Sequence, residues 1–252
     1  MGIFDKLKKE RDVISVADLS ETIDVDIFKY VDKNNWFQVF SACLGKIAVI
    51  QGRCEKFIIS GQKCSADLAK GTITFGNRSF PLQIIGSEGS ATNSWQWAYK
   101  NTNNFDSRLL ELAHEVEKTG NDWDLSPLYV SDFELDEVFN GETLSTVACG
   151  ISKSDYCYYR ATTQKGSVYL AFENVPKYVF APIEISEFAE ITASCLENYH
   201  VDHKVFVESF LLWNKTPYEV NKDGIVAHFY VDLYITFECI EGMWRVSELT
   251  TK

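Results

Sequence analysis

The sequence predicts an α+β protein, in which antiparallel sheets pack against a long N-terminal helix and several shorter helices. Two patterns lead to this fold class. Segments in which apolar and polar residues alternate follow one another directly, whereas in a parallel α/β sheet single helices would separate them. One long segment near the N-terminus instead repeats its apolar residues at every third or fourth position, which is typical of a helix.

The long helix is predicted to begin after Asn34 or Asn35, whose side chains suit an N-cap, and to run to about Ile59. Two glycines, Gly45 and Gly52, lie within it. Each glycine costs roughly 1 kcal/mol relative to alanine in a helix. We therefore expect another part of the protein to approach the helix closely at both positions.

Three strands are predicted next, over residues 71–75, 80–85 and 94–100, and they form an antiparallel meander. The third strand places three aromatic side chains on one face, which we expect in the core: Trp95, Trp97 and Tyr99. The glycine-rich residues 86–90 precede a strand, so they lack the helix N-terminus that phosphate-binding loops use. We expect a mobile loop at this position.

A helix is predicted to begin at Asn104 and to end at Gly120, and a shorter helix covers residues 144–151. Residues 155–162 and 167–172 alternate on either side of a short turn, which predicts a hairpin.

Beyond Pro182 the sequence predicts two more helices, one after Ser186 and one after Asp202. Residues 225–239 alternate without interruption, which indicates a single long strand with one core face and one polar face. A turn at residues 241–242 returns the chain in a hairpin.

The elements divide into three parts. Residues 1–33 form an arm that either docks onto the body or stays mobile, with Ile23, Val25 and Ile27 in an edge-strand pattern. Residues 34–175 form an α+β domain, and residues 176–252 form a helix-helix-hairpin subdomain that is either separate or packed into the same body.

The charge is strongly negative and unevenly distributed. The formal net charge is −12, and nine acids lie between Glu115 and Glu142 against the single Lys118. A field of this sign repels phosphate, so we expect no nucleic-acid partner. The acidic segment is either a solvated face or an interface for a basic protein. The candidate interface residues are Asp122, Trp123, Asp124, Asp132 and Asp136.

The sequence predicts a cytoplasmic protein without a membrane partner. It contains neither a secretory leader nor an apolar window of the length that a membrane span needs. Its seven cysteines form no C-x-x-C pair, so we expect no disulfide framework, no metal and no cofactor.

Few side chains suggest chemistry, and no nucleotide-binding or hydrolase motif is present. His200 and His203 with Asp202 are either metal ligands or a helix N-cap flanked by surface histidines. His228 and Asp232 on the predicted last strand form an acid–base pair only if a helix or loop covers them. The candidate pocket comprises His228, Tyr230, Asp232, Tyr234 and Arg160.

Several short motifs occur in a fixed order within residues 34–175. They are Gly71-Thr-Ile-Thr-Phe75, Ile85-Gly86-Ser87 and Trp95-Gln-Trp97-Ala98-Tyr99-Lys100-Asn101. In this order they resemble a bacterial family of uncharacterised domains with a G-x-[LI]-x-F strand, an L-G-S turn and a W-x-W-A-x-x-N strand. Tyr99 departs from the family pattern, and residues 176–252 have no counterpart in it. The resemblance implies no activity and no catalytic residue.

The sequence favours binding over catalysis. An acidic protein without a nucleophile–base motif suits an interaction or immunity-type module for a basic protein. The alternative is a small-molecule-binding or hydrolytic domain with its pocket on the C-terminal sheet.

Overall fold

A computed structural model describes residues 26–222 and 224–251. Of the predicted edge-strand residues, Ile23 and Val25 lie outside the described residues, and the prediction is wrong at Ile27, which lies in a turn. The end of the predicted arm is docked, because Ile27 and Phe28 are buried. The hydroxyl of Ser209 donates a hydrogen bond to the Ile27 carbonyl at 2.8 Å, which ties this segment to a helix far along the chain.

The described residues form six α-helices. They are α1 (Trp36–Cys54), α2 (Glu111–Trp123), α3 (Ser126–Tyr129), α4 (Gly141–Ile151), α5 (Ile185–Asn198) and α6 (His203–Asn214). A π-helical turn continues α1 over Glu55–Ile59, so the predicted extent of the long helix is confirmed. Short 3-10 turns occupy Ala98–Lys100, Ser107–Leu109 and Lys177–Phe180.

Eleven strands complete the described elements. They are β1 (Cys64–Asp67), β2 (Thr72–Phe75), β3 (Arg78–Gly89), β4 (Ser94–Trp97), β5 (Asp132–Glu134), β6 (Cys157–Thr163), β7 (Gly166–Phe172), β8 (Tyr218–Val220), β9 (Gly224–His228), β10 (Asp232–Ile240) and β11 (Met243–Thr251). All their pairings are antiparallel, which confirms the α+β class.

The strands form two sheets. The seven-stranded sheet follows the order β1-β2-β3-β4-β5, and β7 pairs with β3 and also with β6. The four-stranded sheet follows the order β11-β10-β9-β8. The long strand β3 is central because it pairs with β2, β4 and β7 along its length.

Helix α1 lies at the centre of the core and contacts α4, α5 and α6. Asn35 caps it by accepting a hydrogen bond from the Gln38 amide, as predicted. At Gly45, a β-carbon would lie 2.5 Å from the ring of Phe210, which confirms the predicted close approach. The same prediction is wrong at Gly52, where the space around a β-carbon is open.

Three predicted local features are wrong, because contacts from distant parts of the chain override them. Residues 86–89 are strand and not a loop, since Gly86 pairs with Trp97 on one side and with Tyr169 on the other. The predicted helix 104–120 has different bounds. It begins at Glu111, since Asn104 is itself in the left-handed conformation and does not cap it. Gly120 lies inside α2, where it makes room for Leu128, and the helix ends at Trp123 with Asp124 as its left-handed C-cap.

The third error concerns residues 225–239, which form two strands and not one. β9 ends at His228, and β10 begins at Asp232 as its antiparallel partner. Tyr230, in the turn between them, is 80% exposed. The alternation of apolar and polar residues continues through this turn, so the sequence pattern concealed it.

Candidate functional site

The aromatic motif is part of the core, as predicted. Trp95 and Trp97 are fully buried, and their rings meet edge to face at 5.2 Å. The indole N–H of Trp97 donates to the Pro127 carbonyl at 2.9 Å. β4 ends at Trp97, however, so Tyr99 lies in the 3-10 turn and stacks on Trp97 at 6.1 Å.

Arg160, a candidate pocket residue, pairs with an acidic residue of the seven-stranded sheet. Its guanidinium lies 3.3 Å from the Glu88 carboxylate, and its Nε donates to the Ser167 hydroxyl. The other Glu88 oxygen accepts the Gly141 amide at 2.7 Å, at the start of α4. Burial and the nearby Glu88 raise the pKa of Tyr169. These contacts connect β3 to β6 in the seven-stranded sheet and attach the start of α4 to β3.

The other candidate pocket residues lie on the four-stranded sheet. His228 Nδ1 is 2.9 Å from the Asp232 carboxylate, so the predicted pair exists, but across two strands. Glu219 lies on the other side of the ring, 3.9 Å from Nε2. The side chains of His228 and Asp232 are 35% and 41% exposed. The structure thus brings His228 to Asp232 and places Arg160 in the other sheet.

Asp202 is the N-cap of α6, accepting the amides of Lys204 and Val205. His203 is buried, whereas His200 is exposed and packs on Phe37 at 4.9 Å. The residues that the structure describes contain no group of three or more His, Cys, Asp or Glu side chains arranged to hold a metal.

His203 joins α6 to the four-stranded sheet. Its Nδ1 accepts the Val246 amide at 3.1 Å, and its Nε2 lies 2.8 Å from the Arg245 guanidinium. Burial, and secondarily the positive charge of Arg245, lower its pKa below the usual 6.5. A protonated His203 ring could no longer accept the Val246 amide, and its positive charge would repel Arg245. The folded state therefore favours the neutral form of His203.

We expect this histidine to make stability pH-dependent. As the pH falls through about 6.5, the unfolded chain takes up the proton first, so stability present above that pH is lost below it. One linked proton accounts for a slope of at most about 1.4 kcal/mol per pH unit. Denaturant unfolding of His203→Gln across this range should show a flatter slope than wild type. His200→Gln is the matched control and should keep the wild-type slope; equal slopes in all three proteins would contradict the assignment.

The acidic segment, residues 115–142, carries its charge mostly on the surface. Two of its nine acids form ion pairs among the described residues, Asp122 with Lys118 and Asp132 with Lys100, and Glu117 lies 3.2 Å from the His114 ring. Glu115 instead accepts from Ser152 and the Lys153 amide. The other five are exposed and have no ion pair within residues 26–222 and 224–251: Asp124, Glu134, Asp136, Glu137 and Glu142.

The apolar residues between these acids divide into two sets. Leu125 and Leu128 are core residues, and Trp123 is half-buried against Phe28 at 5.1 Å. In contrast, the segment exposes two valines that the sequence analysis did not select. Their exposed fractions are 41% for Val130 and 52% for Val138.

Two of these acids, Asp132 and Asp136, accept hydrogen bonds that hold the local structure in place. Asp136 accepts the amides of Val138 and Phe139, and so shapes the loop before α4. Hydrogen bonds from Lys100 and Ser131 lower the pKa of Asp132. The side-chain carboxylates of Glu134 and Glu137 are exposed and accept no hydrogen bond from other described residues, so their charges are available to solvent.

The fold and these surfaces define an α+β protein with two antiparallel sheets and an acidic edge. A model of the family of unknown function DUF6882 matches residues 38–175, and the chain belongs to this family. The match confirms the resemblance to an uncharacterised family. No curated protein and no solved structure matches the chain. Within the described residues, no helix combines the length and apolar character that a membrane crossing needs.

Proposed function

We propose that the protein acts by binding a basic protein through its acidic segment, as an interaction or immunity-type module of the bacterial cytoplasm. The observation that carries the proposal is the group of five exposed acids without an ion pair among the described residues. Unpaired exposed charge steers an oppositely charged partner and speeds its association. The seven cysteines are free thiols, which agrees with a reducing compartment.

Exposed apolar side chains support the same surface. Charge alone contributes more to the rate of association than to affinity, and stable interfaces also need apolar contacts. Val130 and Val138 supply such contacts on either side of the edge strand β5. β5 is only three residues long and carries Asp132 and Glu134, which disfavour pairing with another strand. A partner therefore binds through side chains.

Octalysine is a suitable cationic probe for this surface. We expect an NMR titration to give saturable amide shifts that cluster between residues 122 and 142 and weaken as salt is added. A variant with Asp122→Asn, Asp124→Asn, Glu134→Gln and Glu137→Gln should lose most of these shifts. It leaves Asp132 and Asp136 intact, because these two side chains have structural hydrogen bonds.

The matched control removes the same charge from other exposed positions, by Glu→Gln changes at Glu190, Glu197, Glu238 and Glu248. This control should bind octalysine as the wild type does. Shifts spread evenly over all acidic surfaces, or equal losses in the two variants, would contradict a localised site. Circular dichroism verifies that both variants remain folded.

A further inference from the structure

A cleft of about 80 Å³ opens on the seven-stranded sheet, beside the edge strand β5, whose Asp132 lies opposite Gln96 in the register. β3, β4 and β7 contribute six lining residues, and the chain after β4 contributes the other five. The lining residues are Ile84, Gly86, Ser87, Gln96, Trp97, Ala98, Asn101, Thr102, Asn103, Phe105 and Val168.

The strand register builds the floor of this cleft. Ser87 lies directly between Gln96 on β4 and Val168 on β7, so the three side chains share one face of the sheet. A register shift between Ile84 and Gly86 marks a bulge in β3 at this point. Gly86 has no room for a side chain, since a β-carbon would lie 2.3 Å from the Trp95 ring.

Asn101 holds the wall of the cleft in place. Its backbone adopts the left-handed conformation, with φ of 47°. Its side-chain oxygen accepts the Phe105 amide at 2.7 Å, and its side-chain nitrogen donates to the Phe105 carbonyl at 3.0 Å. This paired hydrogen bond closes residues 101–105 into a fixed loop, so the cleft exists before any ligand binds.

The lining is uncharged throughout. Apolar surface comes from Ile84, Phe105 and Val168, and hydrogen-bonding groups stand beside it. The Ser87 hydroxyl and the Asn103 amide have no hydrogen-bond partner among the described residues. A cleft that combines an apolar wall with a few free polar groups is typical of a small-ligand site.

Gln96 has a defined orientation in this cleft. Its side-chain oxygen accepts a hydrogen bond from the Thr102 hydroxyl at 2.8 Å. The amide nitrogen therefore remains as a donor for a ligand. Hydroxyl and amide groups at this edge pair with the carbonyl, amide or hydroxyl groups of an uncharged compound, whereas a carboxylate or ammonium would find no counter-charge in the lining.

The cleft lies entirely within the part of the chain that the family model matches. All its lining residues fall between residues 84 and 168, inside the matched range 38–175. Six of them also belong to the motifs that carry the family resemblance: Gly86, Ser87, Gln96, Trp97, Ala98 and Asn101. The candidate pair His228 and Asp232 lies outside that range.

We propose that this cleft is a binding site for a small uncharged ring compound bearing amide or hydroxyl groups. The ring packs against Ile84, Phe105 and Val168, and its polar edge meets Ser87, Gln96 and Asn103. No acid lines the cleft itself, and Asp132 of the acidic segment is the cross-strand neighbour of Gln96 at its border.

Nicotinamide and nicotinate test the proposal, because they share one ring and differ in the charge of one group. We expect nicotinamide to produce saturable NMR shifts at the cleft amides, with a dissociation constant in the millimolar range. Nicotinate should bind about tenfold more weakly or not at all, because the cleft offers its carboxylate no partner. Uracil and N-acetylglucosamine extend the uncharged set, and one of the three uncharged probes must bind.

Two variants locate the site. Ser87→Leu fills the cleft and should abolish binding, whereas Ser79→Leu makes the same change at an exposed position of β3 and should not alter it. Gln96→Met keeps the side-chain size but removes the donor, and should weaken binding severalfold at an unchanged melting temperature. It also serves as the test if Ser87→Leu fails to fold. The proposal is overturned if none of the uncharged probes binds, if nicotinate binds as well as nicotinamide, or if Gln96→Met leaves every affinity unchanged.

Discussion

Replacing Trp97 with alanine is expected to lower the free energy of unfolding by about 3–5 kcal/mol. The side chain is fully buried between Trp95 and Tyr99, so its removal leaves a cavity that its neighbours cannot fill without moving. The change also leaves the Pro127 carbonyl without its indole donor. Urea unfolding of wild type and variant, followed by circular dichroism, measures the difference.

Trp244→Ala is the matched control for this substitution. Trp244 lies at the start of β11 and is 46% exposed, so its loss should change stability far less than the loss of Trp97. If Trp97→Ala kept the unfolding midpoint of the wild type, Trp97 would not be the core residue that the structure shows.

Replacing either glycine of α1 with alanine is expected to change the free energy of unfolding, but in opposite directions at the two positions. Gly45→Ala should destabilise the protein by about 1–3 kcal/mol, since the new methyl group would overlap the Phe210 ring and push α6 away. Gly52→Ala should stabilise it by about 0.5–1 kcal/mol, because the position is exposed and alanine favours the helix.

Chemical unfolding of the two variants beside wild type measures both effects, and each variant controls for the other because the residue change and the helix are the same. A stabilising Gly45→Ala would mean that α6 does not pack closely on α1. A destabilising Gly52→Ala would mean that a further segment covers that face of the helix.

The comparison of α1 with residues 225–239 shows what local pattern can predict. The caps at Asn35 and Asp202 were predictable, because a capping side chain acts on amides only two or three residues away. The turn after His228 was not, because Phe229 and Tyr230 continue the alternation and no glycine or proline marks the break. A two-residue period is the same in one long strand and in a hairpin whose turn keeps that period.

The glycines show the same difference between what the local sequence predicts and what contacts from distant segments decide. The sequence places Gly45 and Gly52 correctly in α1, but it places Gly86 in a loop and Gly120 at a helix end, because the partners that surround each glycine come from elsewhere in the chain. Phe210 is far from Gly45 in sequence, and open solvent at Gly52 has no sequence signature. Residues 86–89 resemble a loop until β4 and β7 pair with them.

The sequence by itself determined the fold class, the helix caps, the β6–β7 hairpin, the burial of Trp95 and Trp97 and the concentration of acids between Glu115 and Glu142. Each depends on composition or on spacing over a few residues. Only the tertiary structure decided that Arg160 pairs with Glu88, that Val130 and Val138 are exposed, and that Ser87, Gln96 and Val168 line one cleft. These arrangements depend on strand register and helix packing between distant segments, and such long-range contacts leave no periodic signal in the sequence.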